Sequence, residues 1–87
     1  SQGRFAEGES IARRVLAKSQ SRPIMERVRL FSASGLLRMQ QGAHRDAAVD
    51  LRNALELARE VANLVVESKT LCNYALALCR IPRLDEA

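Results

Sequence analysis

Tryptophan is absent from this chain, tyrosine occurs once and phenylalanine twice. So few rings leave little of the stacking surface that single-stranded nucleic acid needs, and little of the residue set that favours strands. Proline is as scarce, at Pro23 and Pro82 alone, so long stretches contain no helix breaker. Cysteine occurs only as Cys72 and Cys79. On one helix these two are separated by about 10 Å of rise, beyond the roughly 7 Å that a disulfide can bridge. They are read as reduced, partly buried thiols, which suits a reducing compartment. The single histidine, His44, is far from them in sequence and no C-x-x-C exists, so neither a metal site nor a cofactor is expected. No apolar run approaches the roughly 20 residues that span a bilayer, and Ser1 to Gly8 lack the pattern of a signal peptide. A cytoplasmic location is expected.

What the chain does have is alanine and leucine, strong helix formers, within a 47% hydrophobic composition. Together with 28% charged residues this indicates an ordered, all-α domain. The net charge of +4 comes from 14 Lys and Arg against 10 acids. The arginines run from Arg4 to Arg83 with acids among them, as at Arg52, Glu56, Arg59 and Glu60. Interspersed signs describe a solvated helix surface and not a nucleic-acid footprint.

A repeat organises the pattern. Gly3 to Glu7 recurs loosely as Gly42 to Asp46, 39 residues later, and as Pro82 to Glu86, 40 residues after that. A small residue follows each time: Gly8, Ala47 and Ala87. Val15-Leu16 matches Ala54-Leu55 at a spacing of 39, and Gly35 matches Ala75 at 40. Between these landmarks the three- and four-residue spacing of apolar positions predicts helices. The first covers about 5–19, with Ile11, Ala12, Val15 and Leu16 in its stripe. Ser21-Arg22-Pro23 breaks the pattern. A second runs over about 24–40 with Val28, Phe31, Gly35 and Leu36 inward, closed by Gly42. The third covers about 45–62 with Ala47, Leu51, Ala54, Leu55 and Ala58, and Asn63 is its turn. The fourth spans about 65–80 with Leu71, Ala75 and Leu78 in its stripe. Pro82 stops it, and 84–87 begin a truncated fifth. Such short loops force neighbouring helices antiparallel. The small residues Gly35, Ala47 and Ala75 would let helices approach closely.

The run Gln41 to Ala47 followed by Ala54 to Glu60 resembles a tetratricopeptide repeat, and Leu71 to Leu78 is similar to the first helix of the next one. The resemblance implies antiparallel helix pairs stacked as an α-solenoid, with a second helix at about 5–19, one full repeat over 24–62 and the first helix of another over 65–80. The period near 40, Glu7-Gly8, and Ala54 to Glu60 running into Ala62-Asn63 resemble bacterial multidomain transcriptional regulators of the signal-transduction ATPase type, MalT-like or AfsR-like. Arg38 stands where that pattern has an apolar residue. It either sends its guanidinium to water or marks a one-residue bulge near Gln40-Gln41. His44 replaces an aromatic at the turn, and Leu64-Val65-Val66 is apolar enough to pack on a neighbour.

Catalytic constellations are not supported. His44 and Asp46 are explained by a helix-capping turn, Glu56 and Glu60 are solvated carboxylates, and no phosphate-binding glycine loop is present. The resemblance instead implies a concave groove lined by the first helix of each pair. Matching positions are Arg29, Ser32, Leu36, Met39 and Gln40, then Lys69, Cys72, Asn73, Leu76 and Arg80. Cations, an amide and flexible apolar chains suit a protein or peptide partner with acidic character. The expected function is therefore a non-enzymatic docking or scaffolding module within a larger regulatory protein. The alternatives are an inducer-sensing region that pockets a small ligand, and a structural or self-association spacer. Neighbouring repeats or another copy would cover the end helices. Apolar flanks are expected at Ile11 and Val15 on one side and at Tyr74 and Leu78 on the other, with no direct contact to nucleic acid or membrane.

Overall fold

The computed structural model describes residues 2–19 and 23–82, with the side chains of 2, 3, 5, 15 and 17–19 outside the description. The fifth helix predicted at 84–87 and the Val15 flank therefore lie outside the described residues. The fold is all-α. Its helices are α1 (Gln2–Ser19), α2 (Ile24–Gln40), α3 (His44–Val61) and α4 (Leu64–Arg80), and no strand occurs among the described residues.

Each boundary has a local cause. Pro23 precedes α2, and its carbonyl accepts the Arg27 N–H at 3.0 Å. At the other end Gly42 adopts φ +82°. That left-handed residue lets the Gly42 N–H donate to the Met39 carbonyl and the Ala43 N–H to the Arg38 carbonyl, at 3.0 and 2.8 Å. This is the Schellman pattern that glycine favours after a helix. The α3–α4 turn is built differently. Ala62 takes the left-handed conformation at φ 59° without being glycine. Asn63 then caps α4, its Oδ1 accepting the N–H groups of Val65 and Val66 at 3.0 and 3.2 Å.

α2 and α3 run antiparallel side by side. Val28 near the start of α2 clusters with Ala54 and Ala58 late in α3, whereas Met39 near its end clusters with Ala47 and Ala48 at the start of α3. Gly35 marks their closest approach: a Cβ there would lie 2.7 Å from Leu51 Cγ and 3.3 Å from the Ala47 carbonyl oxygen. Leu51 is fully buried between them. α4 covers the other side of α3 through Ala77, Tyr74 and Val66, joined by Ile81 just beyond its end. α1 packs on α2 alone among the described residues.

Several inward assignments are corrected. In α4 the buried positions are Thr70 and Ala77, with Tyr74 half-buried; Leu71 and Leu78 are each 46% exposed and Ala75 is exposed too. Since a helix turns about 100° per residue, the observed stripe of 70, 74 and 77 lies about 100° around α4 from the predicted one of 71, 75 and 78. Tyr74 therefore packs against the core instead of forming an open flank, while Leu78 is open, as is Ile11 on α1. Leu36 also leaves the core, because Gly35 and Met39 occupy the α3-facing line. Cys72 and Cys79 are exposed, not partly buried.

Candidate docking groove

α2 and α4 do not lie flush against each other. Between them is a cavity of about 460 Å³. Its apolar wall comes from Met25, Val28, Ala33 and Leu36 on α2 and from Val65 and Val66 on α4. Polar atoms come from Ser32, Thr70 and Asn73, and two cations, Arg29 and Lys69, stand at its edge. Among the described residues no carboxylate lines it. The Thr70 hydroxyl is committed, donating to the Val66 carbonyl at 2.7 Å. The side chains of Arg29, Lys69 and Asn73 make no hydrogen bond or ion pair with other described residues. Their donors remain available to a ligand.

Of the residues placed in a groove from sequence, Arg29, Ser32, Leu36, Lys69 and Asn73 meet at this cavity. Met39 does not: it is buried in the core against Ala47 and Ala48, because the same turn of α2 that carries Gly35 carries it toward α3. Gln40, Cys72, Leu76 and Arg80 are exposed but outside the cavity. Met25, Val65 and Val66 were missed as lining residues. The signal was available in the unusual apolar run Leu64-Val65-Val66, whose first two residues are 78% and 77% exposed.

A second polar constellation sits on the opposite side of α2. Arg38 neither reaches to water nor marks a bulge; α2 is continuous through it. Its Nη1 donates to both Asp50 oxygens at 3.0 and 2.9 Å, and its Nε and Nη2 donate to the two Glu9 oxygens at 3.0 and 3.2 Å. The Ser34 hydroxyl donates to Asp50 Oδ2 at 2.6 Å. One guanidinium thus ties α1, α2 and α3 together through two two-point contacts. Burial pushes the Asp50 carboxyl above its ordinary value, helped by nearby Asp46 and opposed by the Ser34 hydroxyl and the Arg38 charge. The sequence signal was the conflict itself. An arginine and an aspartate each fell on an inward helical position, and two such misfits satisfy one another.

The arrangement around His44 offers no catalytic geometry. His44 opens α3 with its Nδ1 buried and unpartnered. The N-cap is Ala43 with no side-chain cap bond, so neither His44 nor Asp46 caps as expected. Glu56 and Glu60 are exposed. Among the described residues no group of three metal-ligating side chains comes together, and no helix is long and apolar enough to cross a membrane.

Fold and site together define a small all-α domain with an apolar, cation-edged cleft between its second and fourth helices. Comparison with family models, with curated proteins and with solved structures finds no match.

Proposed function

We propose that this chain is a docking module of a tetratricopeptide-like repeat array, within a larger regulatory protein, that receives an acidic, amphipathic peptide segment in the α2–α4 cleft. The observation that carries the reading is the chemistry of the cleft: an apolar floor, two unpaired cations and, among the described residues, no carboxylate. Apolar anchors would bind the floor, and carboxylates would meet Arg29 and Lys69, with Asn73 free to bond a peptide backbone.

Two features support the repeat reading. α2 and α4 are each 17 residues long and start 40 residues apart, at Ile24 and Leu64. α1 touches α2 but not α4 among the described residues, whereas a closed four-helix bundle would bring its first and last helices together. The reading assigns the chain no catalytic step.

The test is the double variant Arg29→Glu, Lys69→Glu. Acidic peptides selected for binding to the wild-type chain should lose affinity at least tenfold, about 1.4 kcal/mol, with helical circular dichroism unchanged. Unaltered binding by the folded double variant would refute the cleft as the docking site.

A further inference from the structure

The ionic group around Arg38 is built in two unequal halves. Its inner half lies within the α2–α3 hairpin, where Arg38 Nη1 donates to both Asp50 oxygens and the Ser34 hydroxyl donates to one of them. Its outer half is Glu9 of α1, which takes the Nε and Nη2 edge of the same guanidinium. The halves differ in depth, since the Asp50 side chain is 3% exposed and that of Glu9 14%. They differ also in charge. With both carboxylates ionised the whole group carries a negative charge in excess, whereas Arg38 and Asp50 by themselves cancel. A buried charge that loses its partner is costly. Withdrawing Glu9 strands none, because Asp50 still holds Arg38 and Glu9 itself passes into water. Withdrawing α3 would strand Arg38 and Ser34 together. The remaining α1 contact is also light. Among the described residues α1 packs on α2 alone, and its buried positions there are Gly8 and Ala12, which bring little apolar area.

We infer that α1 is a strap that opens from α2 as a unit of its own while α2, α3 and α4 stay packed. An element that shares few buried groups with the rest of a domain opens below the free energy of global unfolding. Opening uncovers the Nε–Nη2 edge of Arg38, a two-point carboxylate site that Glu9 fills in the closed state. The closed position is defined as well as releasable. A Cβ on Gly8 would lie 2.9 Å from Gln41 Cγ, so Gly8 seats α1 against the end of α2 and brings Glu9 back to the same edge of Arg38. None of Glu9, Arg38 and Asp50 lines the α2–α4 cleft, so the strap does not depend on the docking reading.

Native-state hydrogen exchange of the whole chain, read helix by helix by mass spectrometry, tests it with two variants. Glu9→Gln removes the outer charge of the group. Glu7→Gln removes the same charge from an exposed position of α1, and so controls for the charge of the helix itself. In the wild type the α1 amides should exchange through an opening that leaves those of α2 and α3 protected. Glu9→Gln should speed α1 exchange roughly tenfold and leave α2 and α3 unchanged. Glu7→Gln should keep every helix within about twofold of wild type. Exchange of α1 only together with α2 and α3 would overturn the inference. So would a Glu9→Gln effect that is absent from α1, spread equally over the three helices, or matched by Glu7→Gln.

Discussion

α2 and α4 are the same length and begin 40 residues apart, yet equivalent positions have opposite fates. Gly35 is buried against Leu51, whereas its counterpart Ala75 is exposed. Arg38 is held by two carboxylates, whereas its counterpart Leu78 is nearly half open. The difference lies in what is packed on each helix. α2 has α1 and α3 against it and faces α4 across the cleft, while α4 is packed chiefly on α3. A side chain's burial here is set by the number of neighbouring helices and not by its own hydrophobicity, so a charged residue is enclosed while leucines remain in water.

Exchanging the two environments should give the largest effects. Arg38→Leu places in α2 the residue that α4 carries, and it leaves Glu9 and buried Asp50 facing each other without a cation. Removing one member of a buried ionic group costs about 3–5 kcal/mol, to be read as a fall in urea midpoint. The reciprocal Leu78→Arg should stay within about 0.5 kcal/mol of wild type. Next comes size at the helix crossing. Gly35→Val must displace Leu51 and is expected to cost about 1–3 kcal/mol, against about 0.5 kcal/mol or less for Ala75→Val. Equal effects in either pair would dissolve the comparison.

Smaller effects are expected at the turns that open the two antiparallel hairpins. The α2–α3 turn has Gly42 in its left-handed position, but the α3–α4 turn uses Ala62. Relief of that strain predicts that Ala62→Gly stabilises by about 0.5–1 kcal/mol, visible as a higher melting temperature. Asn63→Ala should cost about 1 kcal/mol by removing the α4 cap.

The smallest effect is in the pH dependence. Burial raises the Asp50 pKa above its ordinary value of 3.8. Between that value and the raised one the folded chain holds the proton more tightly than the unfolded chain. Stability from this group is therefore fully present below the ordinary value and declines as pH rises through the raised one. Denaturation midpoints of wild type minus Asp50→Asn should fall with rising pH across that mildly acid window. A rising difference would give the opposite sign.

The helix boundaries were largely legible, because Pro23, Gly42 and Asn63 act through backbone geometry that depends only on near neighbours. The α2–α3 contact was legible for a similar reason: Gly35, Ala47 and Leu51 repeat at helical spacing on both partners. Two things were not. The rotation of α4 could not be read from its own sequence, since Leu71 and Leu78 are as apolar as any core residue and only α3 decides which flank is covered. The ionic group was hidden because Glu9, Arg38 and Asp50 come from three helices, and their compensation exists only after packing. The cleft was half legible. The α2 and α4 positions facing each other were found, but Met39 was misplaced because it shares a helical turn with both the cleft and the core.

The most direct measurement is the reactivity of the two native thiols in dilute, folded protein toward a colorimetric disulfide reagent. With the outward flank of α4 open, Cys72 and Cys79 should both react about as fast as in the urea-unfolded chain. Protection of either thiol by an order of magnitude in the monomer would mean that α4 is rotated toward the flank that its leucines suggest, and would contradict the contrast between the two helices.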